Sequence, residues 1–245
     1  MARKWIYGTI GSAAAASTLE AMNQTALELL RDVERRLEPK SDANRLVPAI
    51  AAGRAPRSVL AALACEQHRI ITSDWRSFLY LAARAPQPSA GGFFTALAQG
   101  EVLALEALSG FAEACGVSER ALEDYTPRAG CQAYPAYLAW LALNAEPSDV
   151  VLAVVANFSA WGNYCRTVSK ALREHYGFGD SGCAFFDFFA APAPDLERQA
   201  LLVIQWALDA DSNTGAGRGA ARGLEYGRLL QAYELMFWNT LAELP

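Results

Sequence analysis

Histidine is scarce in this chain, and its scarcity limits the metal chemistry that the sequence can support. His68 and His175 are the only histidines among 245 residues. Neither follows a glutamate by three positions, so the Glu-x-x-His pair that places two di-iron ligands on one helix turn is absent. Glu66 and His68 are two residues apart and therefore face different sides of a helix. We expect no protein-bound metal and no cofactor.

The sequence is also poor in basic charge, in long apolar runs and in paired cysteines. A net charge of −5 argues against a nucleic-acid partner, because nucleic-acid-binding domains carry a basic face. No apolar run approaches the ~20 residues that cross a bilayer, so no membrane association is expected. The five cysteines contain no C-x-x-C pair, which indicates free thiols in a reducing compartment. We therefore expect a cytoplasmic protein.

Almost every periodic segment has the spacing of an α-helix. Alanine and leucine dominate, and no run of short β-branched segments indicates a sheet. The sequence predicts an all-α protein with helices over 18–37, 44–52, 56–85, 92–115, 118–125, 132–144, 148–176, 195–211 and 216–244.

Segments outside these helices are predicted to be irregular. Ser17 or Thr18 is suited to cap the first helix, and residues 1–17 are expected to form a poorly ordered N-terminal segment. Residues 185–189 read as a short aromatic turn, and the glycine-rich stretch 211–219 reads as a loop. No strong boundary interrupts the remainder, so 18–245 is predicted to be a single domain.

Three polar residues interrupt apolar stripes on three different helices. They are Gln67, Asn157 and Glu234. Each by itself is compatible with a satisfied core amide or with an acid at a helix edge. Because buried polar groups need partners, all three together indicate an internal polar pocket. We expect the Glu234 carboxylate to face an enclosed cavity with a raised pKa.

Four of these segments resemble motifs of the TenA/thiaminase II family, which shares the haem-oxygenase-like fold with the PQQ-synthesis oxidase family. The matching segments are 56–67 (PRSVLAALACEQ), 155–161 (VANFSAW), 183–189 (CAFFDFF) and 233–238 (YELMFW), and the last is the most specific. The resemblance covers about residues 45–243 in the right order. It implies a single-domain haem-oxygenase-like helical bundle with a central pocket, a small-molecule, pyrimidine-like ligand, and a homodimer or homotetramer.

The departures from the family pattern fall on its functional positions. Gln67 stands where thiaminase II-type members carry the aspartate that orients an aminopyrimidine, and Asn157 replaces their nucleophilic cysteine. Trp161 and Phe189 replace two pocket tyrosines, and only the C-terminal glutamate, Glu234, is kept. Since an amide cannot act as the nucleophile, standard thiaminase II activity is not expected, and whether the chain is an enzyme stays open.

The resulting expectation is a TenA-like small-molecule-binding protein, with a diverged hydrolase or lyase reaction on a planar heterocycle as its enzymatic form. Glu234 is the candidate acid/base. The candidate ligand-binding residues are Gln67, Asn157, Trp161, Tyr164, Phe189 and Trp238. Of these, Asn157, Tyr164 or Gln67 is expected within a water-bridged distance of Glu234. The alternatives are a non-enzymatic interaction or regulatory protein whose pocket is filled by its own aromatics, and an iron-dependent oxygenase of the same fold.

Overall fold

The chain folds into helices, and the residues that the structure describes contain no strand. A computed structural model describes residues 12–40, 42–214 and 219–245, with side chains described for 25–40, 42–210 and 220–245. The helices are α1 (Ser12–Leu37), α2 (Leu46–Ala51), α3 (Arg57–Arg84), α4 (Pro88–Ala114), α5 (Glu119–Asp124), α6 (Ala129–Asn144), α7 (Pro147–Tyr176), α8 (Asp180–Ala190), α9 (Pro194–Thr214) and α10 (Gly219–Ala242). The predicted all-α class is confirmed.

Local chemistry accounts for several helix ends. Pro56 precedes α3 in an extended conformation, and Pro147 occupies the first turn of α7, where its missing N–H costs no hydrogen bond. The Ser118 hydroxyl accepts a hydrogen bond from the Ala121 amide at 3.2 Å and caps α5. Gly177 ends α7 with a φ of 72°, a left-handed conformation that glycine adopts without a Cβ clash.

The structure corrects three of the predicted boundaries. Helix α1 begins at Ser12, so Ser17 and Thr18 lie inside it, and the alanine-rich run before them favours helix. Only residues 1–11 of the expected N-terminal segment lie outside the described residues. Helix α9 continues to Thr214, and of the predicted loop 211–219 only residues 215–218 lie outside the described residues.

The third correction concerns the aromatic turn predicted at 185–189, which is part of helix α8. Phe185 and Phe186 are fully buried, and Phe186 meets Phe111 of α4 edge to face, with ring centroids 4.9 Å apart. Packing of these rings against α4 and α7 stabilises a helix that is too short to persist alone.

The hydrophobic core consists of two clusters stacked along the bundle. One joins α2 and α8 to the N-terminal half of α3 and the C-terminal half of α7, and includes Phe111 and Trp238. The other joins α1 and α9 to the C-terminal half of α3 and the N-terminal half of α7, and includes Phe93 and Leu230. No helix within the described ranges is long and apolar enough to cross a membrane.

Glu66 ties α3 to the start of α6 through a fully buried carboxylate. Its oxygens accept hydrogen bonds from the Tyr125 hydroxyl at 2.7 Å, the Arg128 amide at 2.8 Å and the Gln132 side-chain amide at 2.7 Å. The Arg128 guanidinium lies 3.8 Å away as a counter-charge. Such complete pairing is what a buried carboxylate requires to be tolerated in a core.

Candidate ligand-binding cavity

A cavity of about 660 Å³ opens between the helices, with walls that include side chains from both core clusters. Helices α3, α4 and α7 supply most of the wall, α1, α8, α9 and α10 contribute two or three residues each, and α6 contributes Tyr134. Its size is that of pockets which enclose small organic molecules. Most of the wall is apolar or aromatic, so the few polar side chains stand out.

Glu234 lies on this wall, in the middle of α10. It is 8% exposed, and the Trp238 indole N–H donates a hydrogen bond to its Oε1 at 3.3 Å. Burial raises the pKa of the Glu234 carboxyl to about 7, although the hydrogen bond from Trp238 acts in the opposite direction. The carboxyl is therefore poised to gain or lose a proton near neutral pH.

Asn157 presents an unpaired oxygen at the wall. Its Nδ2 donates to the Ala153 carbonyl at 2.8 Å and to the Gly227 carbonyl at 3.2 Å, which links α7 to α10. Its Oδ1 is buried and has no partner among the described residues. Because the amide is held through its nitrogen, the oxygen is free to accept a hydrogen bond from a ligand.

Gln67, Trp161 and Phe189 also line the cavity. Gln67 is 3% exposed and points inward, whereas its neighbour Glu66 belongs to the α3–α6 network. The Trp161 and Phe189 rings meet edge to face with centroids 5.7 Å apart and form an aromatic corner of the wall. The structure thus brings together Gln67, Asn157 and Glu234 from three helices on one cavity.

Tyr164 and Trp238 do not lie on the wall of this cavity, and their assignment as ligand-binding residues stays a prediction. Trp238 is fully buried behind Glu234, and Trp161, 5.6 Å away between ring centroids, takes the wall position. Tyr164 packs on Trp238 and lines a separate hollow of about 480 Å³ beside α1 and α2. Their role is to hold Glu234 and Trp161 in place from behind.

Sequence reasoning missed three polar residues of the same wall: Asp74, Glu101 and Tyr134. The pKa of Asp74 is raised well above its ordinary value by burial and then by the charge of Glu101, and burial raises that of Glu101 to about 8. Asp74 follows Gln67 by two helical turns and lies on the same face of α3. Once Gln67 is predicted to line a pocket, this spacing predicts that Asp74 lines it too. Glu101 and Tyr134 carry no comparable signal.

The described wall contains no cysteine and no group of side chains placed to hold a metal ion. Cys165 is fully buried and lies off the cavity, and burial raises the pKa of its thiol well above the ordinary value. It is therefore unsuited to replace the nucleophile that Asn157 lacks. The described side chains include no group of three or more His, Cys, Asp or Glu residues placed to hold a metal ion.

Comparison with known proteins gives a match at the level of the family and of the fold. A family model described as TENA/THI-4/PQQC matches residues 45–192. Curated protein sequences give no match.

Solved structures share the architecture at low sequence identity. A TenA family transcription regulator from Silicibacter sp. TM1040 is 18% identical, with a TM-score of 0.65 over 92% of this chain and 96% of that one. A TenA homologue from Pseudomonas syringae pv. tomato is 11% identical, with a TM-score of 0.66 over 91% and 93%. A domain of unknown function from Shewanella denitrificans, described as having a haem oxygenase-like fold, is 11% identical, with a TM-score of 0.62 over 91% of each chain.

Proposed function

Since the chain belongs to the TENA/THI-4/PQQC family, we propose that it binds a small planar nitrogen heterocycle in the cavity around Glu234. The observation that carries this proposal is the convergence of Gln67, Asn157 and Glu234 on one partly enclosed space. An amide oxygen and a carboxyl of adjustable protonation match the donor and acceptor edge of an aminopyrimidine. The aromatic pair Trp161–Phe189 offers a surface against which a flat ring can stack.

The cavity supports ligand binding over the alternative of an interaction protein whose pocket is filled by its own aromatics. About 660 Å³ remains open beside Trp161 and Phe189. The amide oxygen of Asn157 and Oδ1 of Asp74 face this region without partners among the described residues. Open polar acceptors in a partly apolar space are the pattern of a binding site, because a packed core pairs them.

If the cavity catalyses a reaction, the group that carries it in this proposal is Glu234. With a pKa of about 7, the carboxyl can accept a proton from water or donate one to a ring nitrogen. A covalent route of the thiaminase II type has no nucleophile here, since Asn157 is an amide and Cys165 lies off the cavity. The enzymatic form of the proposal is therefore acid/base hydrolysis or elimination without a covalent intermediate.

We also propose that the protein is a cytoplasmic homodimer or homotetramer. Tyr80, Trp140 and Leu143 are 48%, 48% and 60% exposed, a large apolar exposure for a monomer. The Arg84 guanidinium lies over the Tyr80 ring and bonds the Ala142 carbonyl, so the ends of α3 and α6 are adjacent. We call these three side chains the α3–α6 patch. The five free cysteines agree with a reducing compartment.

The test measures binding of 4-aminopyrimidine by calorimetry and hydrolysis of thiamine by chromatography. We expect 4-aminopyrimidine to bind the wild type and to bind Glu234→Gln at least about tenfold more weakly. The control Glu113→Gln changes an exposed acid of α4 and is expected to bind normally. Thiamine turnover on the order of 1 per second would contradict the loss of thiaminase chemistry, and absence of 4-aminopyrimidine binding would contradict the proposed ligand class.

A further inference from the structure

Asp74 is a buried acid with an oxygen that has no hydrogen-bond partner among the described residues. It lies in α3, is 5% exposed, and lines the cavity. Its Oδ1 has no hydrogen-bond partner among the described residues, and none of the ion pairs in the described ranges includes it. Because polar groups inside proteins are almost always hydrogen-bonded, an open acceptor on a cavity wall indicates a missing partner.

Glu66, on the same helix, shows how this protein treats a buried carboxylate with a structural role. Its two oxygens accept from Tyr125, Arg128 and Gln132. The fold can therefore surround an acid on α3 with donors, and it does not do so at Asp74. This difference between two acids of one helix indicates that Asp74 is available to bind a ligand.

Glu101 of α4 and Tyr134 of α6 lie on the same wall, and with Asp74 we call them the Asp74 subsite. The Glu101 charge contributes to the raised pKa of Asp74, which places the two carboxyls within electrostatic reach of each other. Burial raises the pKa of the Tyr134 hydroxyl well above its ordinary value, and the charges of Asp74, Glu234 and Glu101 add to this. Tyr134 thus lies within electrostatic reach of both Asp74 and Glu234.

Negative groups dominate the titratable side chains of the whole wall. Its carboxyls are Glu34, Asp74, Glu101, Glu197 and Glu234. Arg166 is the sole basic residue on the described wall; it is exposed, and it bonds the Asn163 side-chain oxygen at 2.7 Å and the Ala190 carbonyl at 3.1 Å. Five carboxyls and a single, exposed arginine favour a cation over an anion, because a bound cation stabilises the ionised form of the carboxyls.

We infer that the Asp74 subsite binds a protonated amine of the ligand, with the oxygens of Asp74, Glu101 and Tyr134 accepting its N–H donors. The inference rests on the proposed function, because it assigns a second contact to a small molecule held in the same cavity. Ile71 and Phe78 flank Asp74 on the wall, so the amine is carried on an apolar or aromatic body. The described residues lack a group of three or more ligands for a metal ion, which favours an organic cation.

Binding of such a cation has a consequence for protons. In the free protein Glu101, whose pKa is raised to about 8, is mostly protonated near neutral pH, and burial beside Glu101 raises the pKa of Asp74 in the same direction. An ammonium group favours the charged carboxylate, so a carboxyl proton passes to the solvent when the ammonium binds. Glu34, Glu234 and Tyr134 also face the cavity, and removing Asp74 alone identifies its share of this release.

The experiment compares benzylamine with its uncharged counterpart benzyl alcohol. Calorimetric titrations at pH 7 in phosphate and in Tris, whose ionisation enthalpies differ, report affinity and proton release together. We expect the wild type to bind benzylamine at least about tenfold more tightly than benzyl alcohol. Binding of benzylamine, but not of benzyl alcohol, should release a proton from the protein. Asp74→Asn is expected to remove both the preference and the release, Glu101→Gln to weaken both, and the exposed control Glu113→Gln to keep both.

Several results would overturn the inference. These are no binding of benzylamine by the wild type, equal affinity of wild type and Asp74→Asn, or an equal loss in Glu113→Gln. Binding of Mg²⁺ or Mn²⁺ that depends on Asp74, without binding of benzylamine, would replace the amine by a metal ion. In each case the dependence of 4-aminopyrimidine binding on Glu234 shows separately whether the proposed function stands. Circular dichroism of each variant confirms that it is folded.

Discussion

Glu66 and Glu234 show how the surroundings of a buried glutamate separate a structural acid from a candidate functional one. Glu66 is enclosed by three donors and an arginine. Among the described residues, Glu234 has a single hydrogen-bond donor, the Trp238 indole at the long distance of 3.3 Å, and it lines the cavity. Folding therefore costs free energy at Glu234 when the carboxyl is charged, and a ligand can recover that free energy.

The raised pKa of Glu234 predicts how stability depends on pH. The unfolded chain ionises this carboxyl near pH 4.5 and the folded protein near 7, so the folded state binds the proton more tightly. The contribution of this protonation to the stability of the folded protein is fully present below the pKa of the unfolded chain, and it is lost as the pH rises through about 7. Glu234→Gln removes this dependence. The free energy of unfolding of the variant, taken relative to that of the wild type, should therefore rise by about 2–3 kcal/mol from pH 5 to pH 8.

Urea unfolding of both proteins at pH 5 and at pH 8 measures this difference. Glu66→Gln serves as the control, because it replaces an accepting oxygen by an amide nitrogen that meets donors, and it should lower stability at both pH values. A Glu234→Gln difference that does not change with pH would show that the carboxyl is well hydrated in the folded protein.

At the scale of helices, periodicity was enough to predict where most elements lie, and contacts between helices decided the rest. The stripe through Gln67 and the stripe through Asn157 both face the interior, as their spacing predicts. Helix α8 was predicted as a turn because its aromatic run is short, and packing of Phe186 on Phe111 stabilises it as a helix. Apolar periodicity therefore determines the bundle, while short elements depend on partners distant in the sequence.

The resemblance to the family predicted the aromatic residues Trp161 and Phe189 of the wall, whereas its polar residues were predicted only where they break an apolar stripe. Gln67, Asn157 and Glu234 meet this condition and lie on the cavity. Glu101 does not, because it lies on a helix that also carries the exposed acids Glu106 and Glu113, and nothing in the sequence separates it from them. The sequence pattern does not predict Tyr134 either, since tyrosine occurs both in protein cores and on surfaces.

Close packing between α4 and α8 predicts a difference between two glycines of α4. A Cβ at Gly110 would lie 2.4 Å from the carbonyl oxygen of Ser181, at the start of α8, whereas a Cβ at Gly92 meets nothing within 4 Å. Gly110→Ala should lower the free energy of unfolding by about 1–3 kcal/mol through overpacking. Gly92→Ala should raise it by about 0.5–1 kcal/mol, because alanine favours helix.

Chemical denaturation of the two alanine variants beside the wild type measures both effects. The two substitutions are chemically identical and lie in one helix, so helix propensity acts equally on both. Equal stabilisation by both substitutions would show that α4 and α8 lie farther apart than the structure places them.

At the scale of the whole molecule, the cavity and the α3–α6 patch differ in where they place polar and apolar side chains. The cavity places its polar groups inside, with apolar walls around them, as a site for a small ligand does. The patch places apolar groups outside, and its Trp140 stacks on Tyr137 and meets the Tyr226 ring edge to face. Exposure of these apolar side chains to water is unfavourable, so we expect a second copy of the chain to cover them.

The proposed oligomer gives the last prediction, which concerns the α3–α6 patch. Leu143→Arg places a charge on its most exposed side chain, 60% accessible, and a charge buried at an interface without a partner is strongly unfavourable. We expect the wild type to sediment as a dimer or tetramer and Leu143→Arg to sediment as a monomer in analytical ultracentrifugation. Leu103→Arg is the matched control, because Leu103 on α4 is 53% exposed but is not part of the patch, and it should leave the oligomer intact. A monomeric wild type would contradict the assembly itself, and dissociation by Leu103→Arg alone would move the interface from α3 and α6 to α4.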